Sequence, residues 1–491
     1  MSGATVGTSG LVFNEGLIFE QGSPGRKGYS LPEADVPAAE VERLIPRELL
    51  RDDLAGLPEV SEVEVVRHFT RLSQWNFGID TGMYPLGSCT MKYNPRVHED
   101  AVRLPGFAHV HPLTPDELAQ GALQLMYELE RYLAEILGMD RVTLHPSAGA
   151  HGELLSIMMI QAYHQSLGRP RHKILIPDSA HGTNPASAAI CGFQVVPIKS
   201  GPRGVVEPAA VAEAMDEDVA CIMITNPNTL GLFEEHLTEV ARIVHAKGGQ
   251  VYGDGANLNA LLGIARPGDM GIDAIHTNLH KTFTQPHGGG GPGAGPVGVK
   301  AHLAPFLPVP VIAKQGDRYV LTEDRPRSVG KLRSFVASFG VMVRAYAYIR
   351  SLGAEGLLNV SRKAVLAANY LAARLKNRFD LPFPPPYAHE FILVPEFGES
   401  GVTELDLAKR LIDYGIHPPT MSWPIHHCLM IEPTETESLA TLDRFVEVML
   451  RIADEVETDA GLVKNAPHTT PVRRLDEVTA SRKPNVRWRP R

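Results

Sequence analysis

The chain has 491 residues, 44% of them hydrophobic and 21% charged, the balance of an ordinary soluble protein with room for two or three domains and a large core. A formal net charge of −9 argues against a general nucleic-acid binder, and the chain carries neither a run of about 18 apolar residues nor a basic, then apolar leader, so no membrane span or secretion signal is expected. The four cysteines, Cys89, Cys191, Cys221 and Cys428, lie far apart and form no CxxC pair, so neither a disulfide framework nor a structural zinc site is indicated, and a reducing cytosol fits.

Residues 1–58 are rich in Gly, Pro and charge with little periodicity, and predict an extended arm that needs another surface to lie on. A helix is predicted over 59–74. It leads into the stretch Trp75–Pro95, which contains Tyr84-Pro-Leu-Gly-Ser-Cys-Thr-Met-Lys-Tyr-Asn-Pro95 and is too rich in turn formers for a core element, so it is either a loop at the mouth of a site or a rigid surface connection. The next helix is predicted from a Thr114 cap, with Pro115 in its first turn and Glu117 completing a capping box, and carries the stripe Leu118, Leu125, Leu129, Leu133, Ile136 and Leu137. His145-Pro-Ser-Ala-Gly-Ala-His-Gly152 then opens a helix reaching about Leu167. Small residues there make a ready anion site, a plain serine cap being the alternative.

Strands are predicted at 172–177, 193–199, 219–225 and 250–253, alternating with helices near 183–191, 207–217 and 236–247. That alternation indicates a mostly parallel sheet covered on both faces, in which ligands sit at the carboxyl ends of the strands. Polar clusters fall at those ends: Asp178-Ser-Ala-His-Gly-Thr-Asn184, Thr225-Asn-Pro-Asn228, Asp254-Gly-Ala-Asn257 and Asn278-Leu-His-Lys281. Residues 303–333 read as irregular and Pro-rich. Helices follow near 334–352 and 356–378, and Pro382-Phe-Pro-Pro-Pro386 marks a boundary. Beyond it a smaller α/β domain is expected, with strands near 390–395 and 428–432 and helices near 403–414 and 436–456. The division expected is thus an arm (1–58), a large cofactor-binding domain (59–333), connecting helices (334–380), a small C-terminal domain (381–466) and a basic tail (467–491). Residues 471–491 carry seven basic and two acidic side chains, a net of +5 against −14 for the rest.

Lys281 stands between a run read as a buried strand end and a loop with six glycines from Gly288 to Gly295. A poorly solvated lysine loses its proton more readily and becomes an amine nucleophile able to form Schiff bases, and glycines let a flat ligand approach; a surface lysine before a flexible linker is the alternative. A pyridoxal phosphate site needs such an amine, a carboxylate on the ring nitrogen, flat contacts on the ring and phosphate donors. Asp254 can supply the carboxylate, Ala256 and His181 the two face contacts, and Asn226 a donor to the ring hydroxyl. Asn278, Ser147, Ala148 and the helix N-terminus can hold the phosphate, and His280 joins the cofactor-binding set. His109, His111, His426 and His427 have no carboxylate or cysteine at ligand spacing, so no metal is expected.

The stretches Ser23-Pro-Gly-Arg-Lys-Gly-Tyr-Ser-Leu-Pro32, Tyr84–Pro95, Ser179-Ala-His-Gly-Thr-Asn-Pro-Ala186, Asn226-Pro-Asn-Thr-Leu-Gly231, Asp254-Gly-Ala-Asn-Leu-Asn259, Met430-Ile-Glu-Pro-Thr-Glu-Thr-Glu-Ser438 and Pro467–Glu477, with the lysine stretch itself, resemble the P-protein (glycine decarboxylase) family of the glycine cleavage system. The resemblance spans nearly the whole chain. It implies an α/β, aspartate aminotransferase-like (fold type I) pyridoxal phosphate enzyme, with Lys281 as the Schiff-base lysine, Asp254 as the pyridinium partner and His181 as the stacking residue. The implied activity is decarboxylation of glycine with release of CO2 and transfer of the aminomethyl group to the oxidised lipoyl arm of the H-protein. Length and Lys281 imply the separate, cofactor-bearing subunit 2, working in the cytoplasm in a heterotetramer with two copies of subunit 1.

Overall fold

The structure is a computed structural model that describes residues 15–52, 56–336 and 338–488. Its centre is a seven-stranded sheet, made of β1 (Arg141–Thr143), β2 (Lys173–Pro177), β3 (Gln194–Ile198), β4 (Val219–Thr225), β5 (Gln250–Gly255), β6 (Ala274–Thr277) and β7 (Val297–Val299) in the order β1-β7-β6-β5-β4-β2-β3. β3, β2, β4, β5 and β6 run parallel, while β7 pairs antiparallel with both β6 and β1. The middle strands read as near-continuous apolar runs because both faces are covered; in β4 every residue from Val219 to Ile224 is buried.

Helices α1 (Glu62–Gln74), α2 (Arg96–Val102), α3 (Pro105–Ala108), α4 (Gln120–Leu137), α5 (Gly149–Ser166), α6 (Thr183–Ile190), α7 (Pro208–Ala214) and α8 (Leu237–Ala246) precede or cross between the strands. The long α9 (Phe339–Leu375) follows a hairpin of β8 (Val311–Gln315) and β9 (Arg318–Thr322), and Gly353 breaks its helical geometry with φ 61°. That break falls between the two helices the sequence predicts. The hairpin lies inside the stretch expected to be irregular, which corrects that expectation.

The start of α4 is a second correction. Residues Asp116–Leu118 form a separate 3-10 turn, and α4 begins at Gln120. The reason lies in the hairpin: Asp116 Oδ2 accepts from the Leu321 N–H at 2.8 Å, and the Gln120 amide spans the Asp116 and Tyr319 carbonyls at 2.7 Å each. These bonds draw the first turn away from the helix axis, and the residue preceding α4 is Ala119, with no side-chain cap.

A second core, with Phe391, Leu407, Leu411, Met430, Phe445 and Met449 at its centre, is built on the three-stranded sheet β10 (Phe391–Leu393), β12 (Leu429–Ile431) and β11 (Thr420–Met421), covered by α10 (Glu404–Asp413) and α11 (Leu439–Lys464). Thr403 caps α10, accepting from the Asp406 N–H while Asp406 accepts from the Thr403 N–H. By contacts the chain divides into two units, residues 79–464 with both cores and residues 1–78 with 465–491. In the latter, Ser61 caps α1, Glu15 is held by His68 at 2.7 Å and by both sides of the Arg71 fork, and Phe19 stacks on Trp488 at 5.3 Å. A short α12 (Glu477–Arg482) lies in the basic tail. Tyr29, Leu31, Leu44 and Leu49 of the arm are exposed. Among the described residues no helix is long and apolar enough to cross a membrane.

Candidate active site

Sheet register does much of the positioning. Thr225, Asp254 and His276 are neighbours across β4, β5 and β6, at the carboxyl ends of three parallel strands. Asp254 is buried and accepts from the Ala256 N–H at 3.0 Å through Oδ1, which turns the chain directly after β5 and brings Ala256 to the same cavity. His276 Nε2 lies 3.5 Å from that carboxylate, and its Nδ1 pairs with the Tyr252 hydroxyl at 2.5 Å. Burial holds the His276 imidazole below its usual pKa despite Asp254, and pushes the Tyr252 phenol well up. Behind them Glu153 of α5 accepts from the Thr183 hydroxyl at 2.9 Å and from Ser187; burial raises its carboxyl to about 7, with Asp254 adding to the effect.

One cavity is lined by Lys281, Asp254, Ala256, His181, Thr225, Asn257, Ser88, His389 and Glu390, among others. Lys281 follows β6 in a tight turn, its N–H donating to the Asn278 carbonyl at 3.1 Å, and is half-buried rather than fully enclosed. His181 is oriented by the Thr183 hydroxyl at 2.9 Å and by the edge of Trp423 at 5.8 Å, and burial keeps its imidazole neutral.

The remaining residues expected from sequence surround the start of α5. Ala148 is the N-cap, extended at φ −157° and ψ 167°, and no side chain caps the helix. The Ser147 hydroxyl instead lies 3.2 Å from His151 Nδ1, so the serine-cap alternative is not what forms. A Cβ on Gly149 would come within 2.6 Å of Asn278 Oδ1, and one on Gly295 within 2.2 Å of the Ala148 carbonyl oxygen. Gly149 and Gly295 therefore let the chain pack closely on itself, whereas Gly289 to Gly291 have no neighbour within 4 Å. Gly288 to Gly291 all take positive φ in an exposed turn. His280 faces this region, and burial with the nearby Lys281 ammonium presses its imidazole down to about 3.

Several buried polar atoms here lack a hydrogen-bond partner: Thr225 Oγ1, Asn226 Nδ2, Thr277 Oγ1 and Asn278 Oδ1. Groups of this kind are rarely left orphaned in a folded chain. Their position at the ends of β4 and β6 fits a polar ligand, and with the α5 N-terminus and the Asp254 carboxylate the donor set fits pyridoxal phosphate.

Three features escaped the sequence reading. Lys92, buried, bonds Glu435 at 2.7 Å and Asn259 at 3.0 Å. Ser88 and Thr90, both at positive φ, donate their N–H groups to Glu390 at 2.7 Å and Glu432 at 3.0 Å. His389, Glu390 and Glu432 bring one potential ligand atom each within 4.8 Å of the others. Only the abundance of turn formers in Tyr84–Pro95 signalled that this loop reaches the site. His427 also lies 3.3 Å from Glu404, a carboxylate partner the spacing did not reveal. A larger cavity of about 1000 Å³ beside Arg141 and the β8–β9 hairpin contains none of the expected site residues.

Fold and site together define a fold type I pyridoxal phosphate enzyme. A solved glycine decarboxylase (P-protein) of the glycine cleavage system, in inhibitor-bound form, matches with TM-score 0.71 at 21% identity over 84% of this chain and 94% of that one. A glutamate decarboxylase of Lactobacillus brevis matches with TM-score 0.65 at 14% identity over 85% and 97%; likeness at such identities is one of fold. The family model described as glycine cleavage system P-protein matches residues 37–321, and that described as glycine dehydrogenase, C-terminal domain, matches residues 360–469. Proteins named "probable glycine dehydrogenase (decarboxylating) subunit 2" from Caldanaerobacter subterraneus subsp. tengcongensis and Halalkalibacterium halodurans are each 56% identical, over 96% and 97% of this chain and 98% of each relative. The chain belongs to the glycine dehydrogenase (decarboxylating) subunit 2 family.

Proposed function

We propose that this chain is the cofactor-bearing subunit of a glycine-cleaving decarboxylase, which releases CO2 from glycine and transfers the aminomethyl group to the oxidised lipoyl arm of an H-protein. The observation that carries this reading is the convergence of Lys281, Asp254 and His181 on one cavity in a chain 56% identical to proteins named for that activity. Pyridoxal phosphate, when bound, supplies the electron sink that makes loss of a carboxylate from an amino acid feasible.

The chain's own residues would hold it as follows. Lys281 offers the amine. Asp254, backed by His276 and Tyr252, places a fixed negative charge for the ring nitrogen, and His181, kept neutral by burial, offers a flat face opposite Ala256. The α5 N-terminus with Ser147, Ala148, Asn278 and His280 takes the phosphate, and the free Asn226 amide donates to the ring hydroxyl. The cavity wall also carries Ser88 from the Tyr84–Pro95 loop, Asn257 from just after β5 and Glu390 from just before β10. Residues 59–333 would then form the cofactor-binding domain and 381–466 the smaller one. A partner subunit 1, two copies of each chain, and a cytoplasmic setting complete the reading, and the +5 tail offers a surface for an acidic carrier.

The test is glycine–bicarbonate exchange by the purified chain with its partner subunit and lipoylated H-protein. Labelled bicarbonate is expected to enter the glycine carboxyl carbon; no exchange with the complete set would overturn the proposal.

A further inference from the structure

Glu390 and Glu432 come from neighbouring antiparallel strands. Phe391 pairs with Ile431, so the residue before β10 and the residue after β12 stand opposite each other on the same ladder. Both carboxyls are buried, at 3% and 0% exposure, and with His389 their potential ligand atoms lie within 4.8 Å. Two carboxylates this close and this dry cannot both be charged; one must keep its proton.

The hydrogen bonds say which. Burial raises the Glu432 carboxyl to about 7, but it accepts from the Thr90 N–H at 3.0 Å and from the Asn257 amide at 2.8 Å, donors that favour its ionised form and hold it below Glu390. Glu390 accepts one N–H, from Ser88 at 2.7 Å, while its Oε1 lies 3.6 Å from His389 Nε2. Burial and the neighbouring carboxylate raise Glu390 far above the usual carboxyl range, whereas Lys281 pulls it the other way. His389 is 2% exposed, and neither of its ring nitrogens has a partner, so the wall beside the pair has unused hydrogen-bonding capacity. Burial holds that imidazole neutral. Cys89 is the remaining titratable group near both acids, and burial raises its thiol. Glu390 and His389 face the same cavity as Lys281 and Asp254.

We propose that Glu390 and Glu432 form a proton-sharing carboxyl pair in which Glu390 is the acid that protonates the sulfur leaving the acceptor disulfide, and Glu432 is its ionised positioning partner. The inference rests on the function proposed above. Loss of CO2 frees the electron pair of the glycine C–C bond. The methylene carbon bonds to one sulfur of the disulfide, the S–S bond breaks, and the second sulfur leaves with the electron pair as a thiolate. Glu390 O–H gives that thiolate its proton and is reprotonated from water. Two electrons pass from the glycine carbons to the disulfide, which is reduced. A neutral acid is suited to this position, because a charged one would repel the thiolate it must reach.

The test begins with infrared difference spectroscopy of the full chain bound to its partner subunit, without substrate. Glu130, Glu153, Glu234 and Glu432 also titrate late, so the signal is the wild type minus Glu390→Gln difference. A protonated-carboxyl band at neutral pH that Glu390→Gln removes, and whose titration moves to lower pH in Glu432→Gln, is expected. That movement establishes the coupling of the pair, and the catalytic role is read separately in turnover. In turnover, Glu390→Gln is expected to lower kcat for aminomethyl transfer by about 10²–10⁴-fold, with KM for glycine held within about threefold. No band in the difference spectrum, a band whose titration Glu432→Gln leaves in place, or wild-type kcat in Glu390→Gln overturns the proposal. Since the spectrum needs no glycine, its failure is distinct from a failure of exchange.

Discussion

Glu153 offers a direct test of the electrostatics behind the site. It is 1% exposed, lies near Asp254, and its carboxyl is raised from 4.5 to about 7 by burial first and by Asp254 to a smaller degree. A raised acid is stabilising only while it stays protonated. Below pH 4.5 the group is neutral in both folded and unfolded chains and contributes no pH dependence. As pH rises from 4.5 to about 7 the unfolded carboxyl ionises first, and the folded state loses stability; above 7 the penalty is complete. A displacement of that size corresponds to about 3 kcal/mol at 1.36 kcal/mol per unit. Glu153→Gln keeps the shape, and its amide can still meet the Thr183 and Ser187 hydroxyls, but it cannot ionise. Urea unfolding of wild type and variant should therefore coincide near pH 4 and separate through pH 7 in favour of the variant by about 3 kcal/mol, with no further divergence above it. A constant offset at every pH, or a variant less stable at pH 8, would refute the account of this group.

Three other outcomes follow from particular contacts. Lys92→Met leaves the Glu435 side chain, 7% exposed, with the Asn259 amide and the Tyr348 hydroxyl but without its cation at 2.7 Å, and should destabilise by about 3 kcal/mol in denaturant unfolding; adding Glu435→Gln should recover a large part of the loss, because the penalty lies in the uncompensated carboxylate. Gly149→Ala forces a methyl against Asn278 Oδ1, and titration by absorbance should record cofactor binding weakened by about tenfold or more. Glu15 is depressed to about 2 by the Arg71 guanidinium above all, so its contribution is full above pH 4.5 and disappears as pH falls towards 2. Proteolysis of the N-terminal segment should accordingly be faster in Glu15→Gln than in wild type at pH 7, with the difference shrinking over that acid window.

How much of this was legible in the sequence depended on whether the deciding contact was local. Val219–Thr225 is a strand where its apolar run put it, and the break in α9 falls at Gly353, a residue whose φ of 61° few others adopt. β1 and β7 are three residues each and contain no alternation to detect, and α4 was misplaced because a hairpin some two hundred positions later captures Asp116 and Gln120. Polar residues at strand ends gave Asp254, His181 and Lys281, since parallel topology alone sends such residues to one edge of the sheet. Glu390 and Glu432 were invisible for the opposite reason: each borders an ordinary apolar strand, and only the β10–β12 register brings them together. The close approach of Gly295 to Ala148 was not legible because it depends on how the loop after Lys281 folds back over α5.

The central claim is that Lys281 carries the cofactor in a cavity built for it. The most direct measurement is the visible absorbance of the purified chain with pyridoxal phosphate and its partner subunit, followed by borohydride reduction and peptide mapping. The account predicts a cofactor band that reduction fixes to the peptide bearing Lys281, and none fixed in Lys281→Ala. A band fixed to another lysine, or no band with partner and cofactor both present, would contradict it.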